Sequence, residues 1–158
     1  MNPHVDPLRF EIEVALTPSK AFELFTGHLA RWWPLSQFSI GQARAVACGF
    51  ENYVGGHVWE RCADGQRSIW GTVLIWEPPQ RFVMTWHPGR PAETAQEIEV
   101  RFVPSARGTR VELEHRNWEV LGSQAEETRQ GYQQGWRHVF ERLYFDYCQQ
   151  AVHDGSTA

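Results

Sequence analysis

The sequence predicts an α+β domain in which a curved antiparallel sheet of six to seven strands wraps around one long C-terminal helix. Three observations carry this. Segments with apolar residues at every second position follow one another from Leu8 to Arg116, separated by short glycine, proline and aspartate turns, which is the pattern of hairpin-linked strands. From Ser123 to Gln150, Ala125, Thr128, Tyr132, Trp136, Val139, Phe140, Leu143 and Tyr147 recur at steps of three and four. That spacing draws one apolar stripe down a helix of about 42 Å at ~1.5 Å per residue. The opposite side carries Gln130, Gln134, Arg137 and Glu141, so one face is wetted while the other needs a broad apolar surface, and the strands supply it.

Taken in order, Leu8, Phe10, Ile12, Val14 and Leu16 alternate with Arg9, Glu11, Glu13 and Ala15, a half-buried strand. Thr17 caps a helix with Pro18 at its first position. Phe22, Phe25 and Leu29 face inward, Gly27 divides the segment into two short helices, and Trp33 before Pro34 ends the second. Gln37 to Gln42 reads as loop. Strands are expected at Arg44–Glu51, His57–Cys62, Ser68–Glu77, Arg81–His87, Gln96–Val103 and Arg110–Arg116. Asp64-Gly65 turns one hairpin, and Pro78-Pro79 and Pro88 to Pro91 interrupt the ladder. The inward rows are Phe82, Met84 and Trp86; Ile98, Val100 and Phe102; and Val111, Leu113 and His115. The charged rows between them read as a solvated face. Ser123 and Glu126 form a capping box for the last helix. Asp154 to Ala158 reads as a frayed tail.

Bulk properties narrow the function. The 158 residues make one domain, spanning 1–158 with its core at about 8–150, long enough to bury about 68–70% of the unfolded chain's surface. The net charge is −4 and the 15 Lys and Arg are scattered, which argues against nucleic acid and anionic membranes as partners. Cys48, Cys62 and Cys148 fit neither a disulfide framework nor a CxxC site. Residues Met1 to Pro7 show no signal pattern and no apolar run spans a membrane, so a cytoplasmic setting is expected. The unusual feature is aromatic: eight Trp, nine Phe and four Tyr, side chains that suit cavities and interfaces.

Four stretches carry a resemblance. Val14-Ala15-Leu16-Thr17-Pro18 with Ala21-Phe22 and Trp32-Trp33 comes first. Gly55-Gly56 followed by Asp64-Gly65 is second. The run Trp70-Gly71-Thr72-Val73 through Trp76-Glu77-Pro78-Pro79-Gln80-Arg81-Phe82 to Trp86 is third. Gly108-Thr109-Arg110-Val111-Glu112-Leu113-Glu114-His115, with Gly135-Trp136, Phe140 and Leu143, is the last. The chain resembles the START-like helix-grip (SRPBCC) superfamily and, within it, the family of homologues of the activator of the heat-shock-protein-90 ATPase. The resemblance covers about Phe10 to Tyr147. It implies a helix-grip fold and a cavity between sheet and helix that takes apolar ligands. It implies no shared catalytic set.

Candidate chemistry is sparse. His57, His87 and His115 lie on three strands, but His115 shares the face of Leu113 whereas His87 lies opposite Trp86, so no metal site is expected. No phosphate loop, nucleophile elbow or Ser/His/Asp signature occurs, and no cofactor is expected. Weak catalytic candidates are His115, at the end of an inward row, and Glu60, on the face of Val58 and Cys62. Each has a plain alternative: a core histidine with satisfied hydrogen bonds, and an edge-strand glutamate reaching solvent. The expected ligand-binding set is Trp33, Val58, Glu60, Met84, Trp86, His115, Tyr132, Trp136 and Phe140. Gly131 and Gly135 each cost a helix about 1 kcal/mol relative to alanine, so they serve either close packing or ligand space. Trp70 and Trp76 have the parity opposite to Val73 and Ile75, and Phe145 and Cys148 lie off the helix stripe. An exposed aromatic strip is therefore expected, as a partner or homodimer surface.

Three functions are compatible with these residues. The first is binding of a small apolar or aromatic molecule, a lipophilic ligand, with no reaction catalysed; a voidless interior would count against it. The second is a co-chaperone-like stress-response module, checked by capture of a chaperone. The third is a polyketide-cyclase-type enzyme using His115 or Glu60, checked by turnover after their substitution.

Overall fold

The computed structural model describes residues 4–155; the last three residues of the expected tail lie outside them. Strand β1 (Leu8–Val14) leads into helices α1 (Pro18–Gly27) and α2 (Leu29–Trp32). A loop with a 3-10 turn at Gln42–Arg44 crosses to β2 (Ala45–Phe50), β3 (His57–Cys62), β4 (Arg67–Glu77), β5 (Arg81–Trp86), β6 (Gln96–Ser105) and β7 (Gly108–Arg116). A 3-10 segment, Trp118–Gln124, precedes α3 (Ala125–His138), a π-helical turn (Val139–Tyr144) and α4 (Phe145–His153). The seven strands form one sheet in the order β1-β7-β6-β5-β4-β3-β2, antiparallel at every pairing. It curls as a half-barrel around the C-terminal helix, the helix-grip arrangement.

Local chemistry accounts for the first elements. Thr17 Oγ1 accepts from the Lys20 amide at 3.2 Å and Pro18 occupies the first turn of α1, where its missing N–H costs nothing. Trp33 is extended before Pro34 and ends α2. Gly65 turns the β3–β4 hairpin at φ +91°, which its lack of Cβ allows.

The alternation read from β6 and β7 is observed. Ile98, Val100, Phe102, Val111, Leu113 and His115 are all buried. The solvated face between them is more structured than a row of separate pairs. Glu99 is buried and takes Arg116 at 2.7 Å, Arg81 at 3.0 Å and Arg101 at 3.2 Å. Burial works against its ionisation, but the hydrogen bonds from Arg116 and Arg81 prevail and hold its carboxyl below the usual range.

Three expectations are corrected. The capping box of Ser123 and Glu126 does not form: α3 begins at Ala125, after a 3-10 segment broken by Gly122 at φ +60°, and it has no side-chain cap. The apolar stripe also leaves its expected track. Trp136, Phe140, Tyr144 and Cys148 are buried, whereas Leu143 and Tyr147 are half-buried. In a regular α-helix each step of four residues advances about 40° around the axis. The π turn, bonded i to i+5, takes part of that advance back, so a row at every fourth residue stays against the sheet. Tyr144 is locked there by donating to the Ala21 carbonyl at 2.7 Å.

The third correction concerns β4. Bulges fall opposite Val58/Trp59 and between Val73/Ile75, and each reverses the parity of the residues beyond it. Trp70 is buried beside Trp33 and Trp86. Trp76 packs on Phe22, Phe50 and Phe82. Leu74 takes the outside. The expected aromatic strip is thus folded inward, and on the helix Cys148 is buried and Phe145 is half-buried against the core, so neither forms an exposed strip.

The aromatic side chains segregate. Phe22, Phe25, Phe82, Phe102, Phe140 and Tyr144 close one end of the grip in a chain of ring contacts. Trp32 and Trp76 pack at this end too, while Trp33, Trp70, Trp86 and Trp136 gather at the other.

Candidate functional site

Four indoles from four elements meet at that second end. Trp33 follows α2, Trp70 is on β4, Trp86 on β5 and Trp136 on α3. Ring centroids lie 5.3 Å apart for Trp33 and Trp70, 5.9 Å for Trp33 and Trp136, and 5.7 Å for Trp70 and Trp86. Above them is a half-open cavity of about 510 Å³, within the range of small-molecule sites. Tyr132, Gly131 and Gly135 of α3 form one wall, and Phe38 and Ile40 of the loop before β2 form another.

The helix glycines have a visible role. A Cβ on Gly131 would meet nothing within 4 Å, and one on Gly135 would rest 3.5 Å from the Phe38 ring. Neither is needed for close packing; both leave space on the cavity side of α3. Gly131→Ala is therefore expected to stabilise the protein by about 0.5–1 kcal/mol through helix propensity. A higher denaturation midpoint in urea checks this; a lower one would show a packing demand at that position.

The expected ligand-binding residues divide into three groups. Trp33, Trp86, Tyr132 and Trp136 line the cavity. Val58 and Met84 are sealed beneath the indoles, around a void of about 10 Å³. Phe140 is fully buried against Phe25 and Tyr144, away from the cavity. Glu60 and His115 are second-layer groups that touch the walls rather than the space.

Glu60 is not a solvent-facing edge residue, because β3 lies between β2 and β4. It is 1% exposed. Its carboxylate accepts from the Ile40 amide at 2.7 Å, the Gly41 amide at 2.8 Å and the Trp70 indole N–H at 2.6 Å. One side chain thus fixes both a floor indole and the wall loop. The same charge acts on Cys48, whose thiol is pushed up to about 12, by burial first and by Glu60 second. Cys48 stays protonated and is no nucleophile.

His115 stacks on Trp118 at 4.0 Å and meets the Tyr132 ring at 4.9 Å. Nδ1 accepts from the Trp136 indole at 3.1 Å, which assigns the proton to Nε2, donated to Gln96 Oε1 at 3.1 Å. Burial holds its pKa well below the ordinary value, so the folded protein keeps the ring neutral. The unfolded chain protonates it near pH 6.5. The unfolded state therefore binds the proton first, and stability is lost as pH falls below about 6.5, at up to ~1.4 kcal/mol per pH unit. Denaturation midpoints measured between about pH 7 and 5 should fall more steeply in wild type than in His115→Gln. Parallel profiles would sink this assignment.

The wall loop is what sequence reasoning missed. Gln37 to Gln42 is loop, as expected, but the pattern assigns it no place at the site, whereas Phe38 and Ile40 reach the cavity and the Phe38 carbonyl accepts from the Trp33 indole at 2.7 Å. The available signal was two large apolar residues in an otherwise polar loop beside Trp32-Trp33. Among the described residues no cluster of His, Cys, Asp or Glu could hold a metal, and no helix is long and apolar enough to cross a membrane.

Comparison with known proteins agrees with this architecture. The family model described as activator of Hsp90 ATPase homolog 1-like protein matches residues 15–144. An anthrahydroquino-gamma-pyrone synthase, solved in complex with SUM, is 36% identical with a TM-score of 0.56, over 78% of this chain and 84% of its own. The AHSA1-like protein of Aeromonas hydrophila is 17% identical, TM-score 0.62, covering 93% of this chain and 94% of its own. A Staphylococcus aureus protein of unknown function is 19% identical, TM-score 0.62, covering 99% and 98%. These last two likenesses concern the fold alone. No curated protein matches the chain. With the family model spanning most of its length, the chain belongs to the activator of Hsp90 ATPase homolog 1-like family.

Proposed function

We propose that this protein binds a small, planar aromatic molecule in the cavity between the sheet and α3. The observation that carries this is the set of four indoles gathered around a half-open space of about 510 Å³. The indoles touch one another as the phenylalanines do at the other end, but unlike them they also border an open space. Here two glycines keep the opposite wall clear at a cost to the helix. Apolar walls with few polar groups favour a lipophilic guest, and the indole faces favour a flat one.

The test uses the indoles themselves. Titration with a flat tricyclic aromatic should quench tryptophan fluorescence saturably and raise the melting temperature. Gly135→Leu, whose Cβ would already touch the exposed Phe38 ring and whose branches would crowd the cavity wall, should weaken binding at least ~10-fold, equivalent to about 1.4 kcal/mol. Equal affinity in wild type and Gly135→Leu would place any binding elsewhere.

One observation favours a second reading, that the cavity also acts on its guest. The synthase is 36% identical over most of both chains. On this reading the protein closes a ring in an aromatic polyketide-like substrate that the walls hold in a folded shape. Neither His115 nor Glu60 lines the cavity, so neither serves as its acid or base. Incubation with that synthase's substrate, followed by mass-resolved chromatography, should show product; unchanged substrate alongside intact binding would eliminate the reading.

A further inference from the structure

We infer that Tyr132 selects, among flat aromatic guests, those carrying a ketone- or quinone-type oxygen, by donating its phenolic proton to that oxygen. The inference rests on the cavity being a binding site and names what the site recognises.

The argument is one of hydrogen-bond supply. Tyr132 lines the cavity, and its oxygen accepts from the Trp86 indole N–H at 3.0 Å. Among the described residues its own proton has no acceptor. A phenol has one proton to give, and the indole bond leaves that proton the unmatched part of the group. Donation from Trp86 also polarises the O–H and makes it a better donor. Burial raises the Tyr132 pKa, so the proton is present throughout the neutral range.

The hydroxyl is held in place as well. The Tyr132 ring sits edge-on to His115 at 4.9 Å and against Trp118 at 5.6 Å. His115 is fixed in turn by Gln96 and Trp136. The otherwise unexplained buried histidine thus acts as a positioning residue: it backs the ring that points a donor into an apolar space. A neutral carbonyl oxygen satisfies that donor at little desolvation cost. A hydrocarbon leaves it unmatched, and a carboxylate would lose hydration to mostly apolar walls whose other polar side chains, Gln37, Ser39 and Thr128, bring no positive charge to offset it.

The test uses fluorenone and fluorene, which share a flat tricyclic shape and differ in a carbonyl against a methylene. Affinities of both are measured for wild type and Tyr132→Phe. The ratio of fluorenone to fluorene affinity should fall by about 3- to 10-fold in the variant, the worth of one net hydrogen bond, through weaker fluorenone binding, stronger fluorene binding or both. Infrared difference spectra should show the carbonyl stretch of bound fluorenone shifted to lower frequency in wild type and not in the variant. If both compounds bind and the ratio is the same in the two proteins, the inference is overturned while the cavity reading stands. If neither compound binds wild type, both are overturned. Should Tyr132→Phe fail to fold, the wild-type spectrum alone decides: a carbonyl at its frequency in an apolar solvent refutes the donor.

Discussion

Glu60→Ala should destabilise the protein by about 3–5 kcal/mol, the largest loss expected from one substitution near the site. The alanine removes the acceptor for three donors at once, the Ile40 and Gly41 amides and the Trp70 indole, and a buried donor left without a partner costs about 1–3 kcal/mol. It also leaves a hole where a fully enclosed side chain stood. The damage should be directional. The loop carrying Phe38 and Ile40 loses its tie to β3, so hydrogen exchange at the Ile40 and Gly41 amides should accelerate far more than at β6 or β7. Glu60→Gln keeps one acceptor oxygen but turns an N–H toward a donor, and should fall between the two. Urea denaturation together with amide exchange checks this. A loss below about 1 kcal/mol for Glu60→Ala would mean that water or a rearranged loop replaces the carboxylate.

Gly71→Ala should cost about 3 kcal/mol or more, although it adds one methyl group. A Cβ there would collide with the carbonyl of Thr85 on β5, and a backbone atom in a sheet cannot step aside as a side-chain tip can. The strands are fastened at that point, Thr72 N to Thr85 Oγ1 at 2.9 Å and His87 N to the Trp70 carbonyl at 2.6 Å, so relief requires breaking those bonds. Since Trp70 and Trp86 flank the crossing, the variant should also lose affinity for any cavity ligand. A melting temperature within about 2 °C of wild type, where 1 kcal/mol shifts a domain of this size by about 2–4 °C, would refute the collision.

Most of the architecture was legible because most of the strands are regular. In β6 and β7 each residue faces opposite to its neighbour, so Ile98, Val100, Phe102, Val111, Leu113 and His115 declared their face. Legibility failed where the period changed. Two bulges in β4 put Trp70, Val73 and Trp76 inward together, against the strict alternation that set Trp70 and Trp76 apart from Val73. The π turn did the same in the helix, exchanging Tyr144 for Leu143 and Cys148 for Tyr147. Such irregularities are set by packing between elements, which local pattern does not report. The site divides on the same line. Trp33, Trp86, Tyr132 and Trp136 could be named because indoles and phenols on inward faces are candidates in any cavity. That Glu60 ties down a loop, and that His115 lies one layer behind Tyr132, depend on contacts between residues up to 21 positions apart.

The wide turn at Val139–Tyr144 has a consequence for how such a chain can vary. It works as a phase coupler between two lengths of helix, one bearing Tyr132 and Trp136, the other bearing Tyr144 and Cys148. Removing one residue from the turn and letting it relax to α-helix would leave the distal length close to its present orientation, because five α-helical steps of about 100° sweep nearly the same angle as six of the wider ones, so Tyr144 would stay on Ala21 with the indole wall in register. The turn thus absorbs a change of one residue in length without resetting the half that clamps the helix to the sheet.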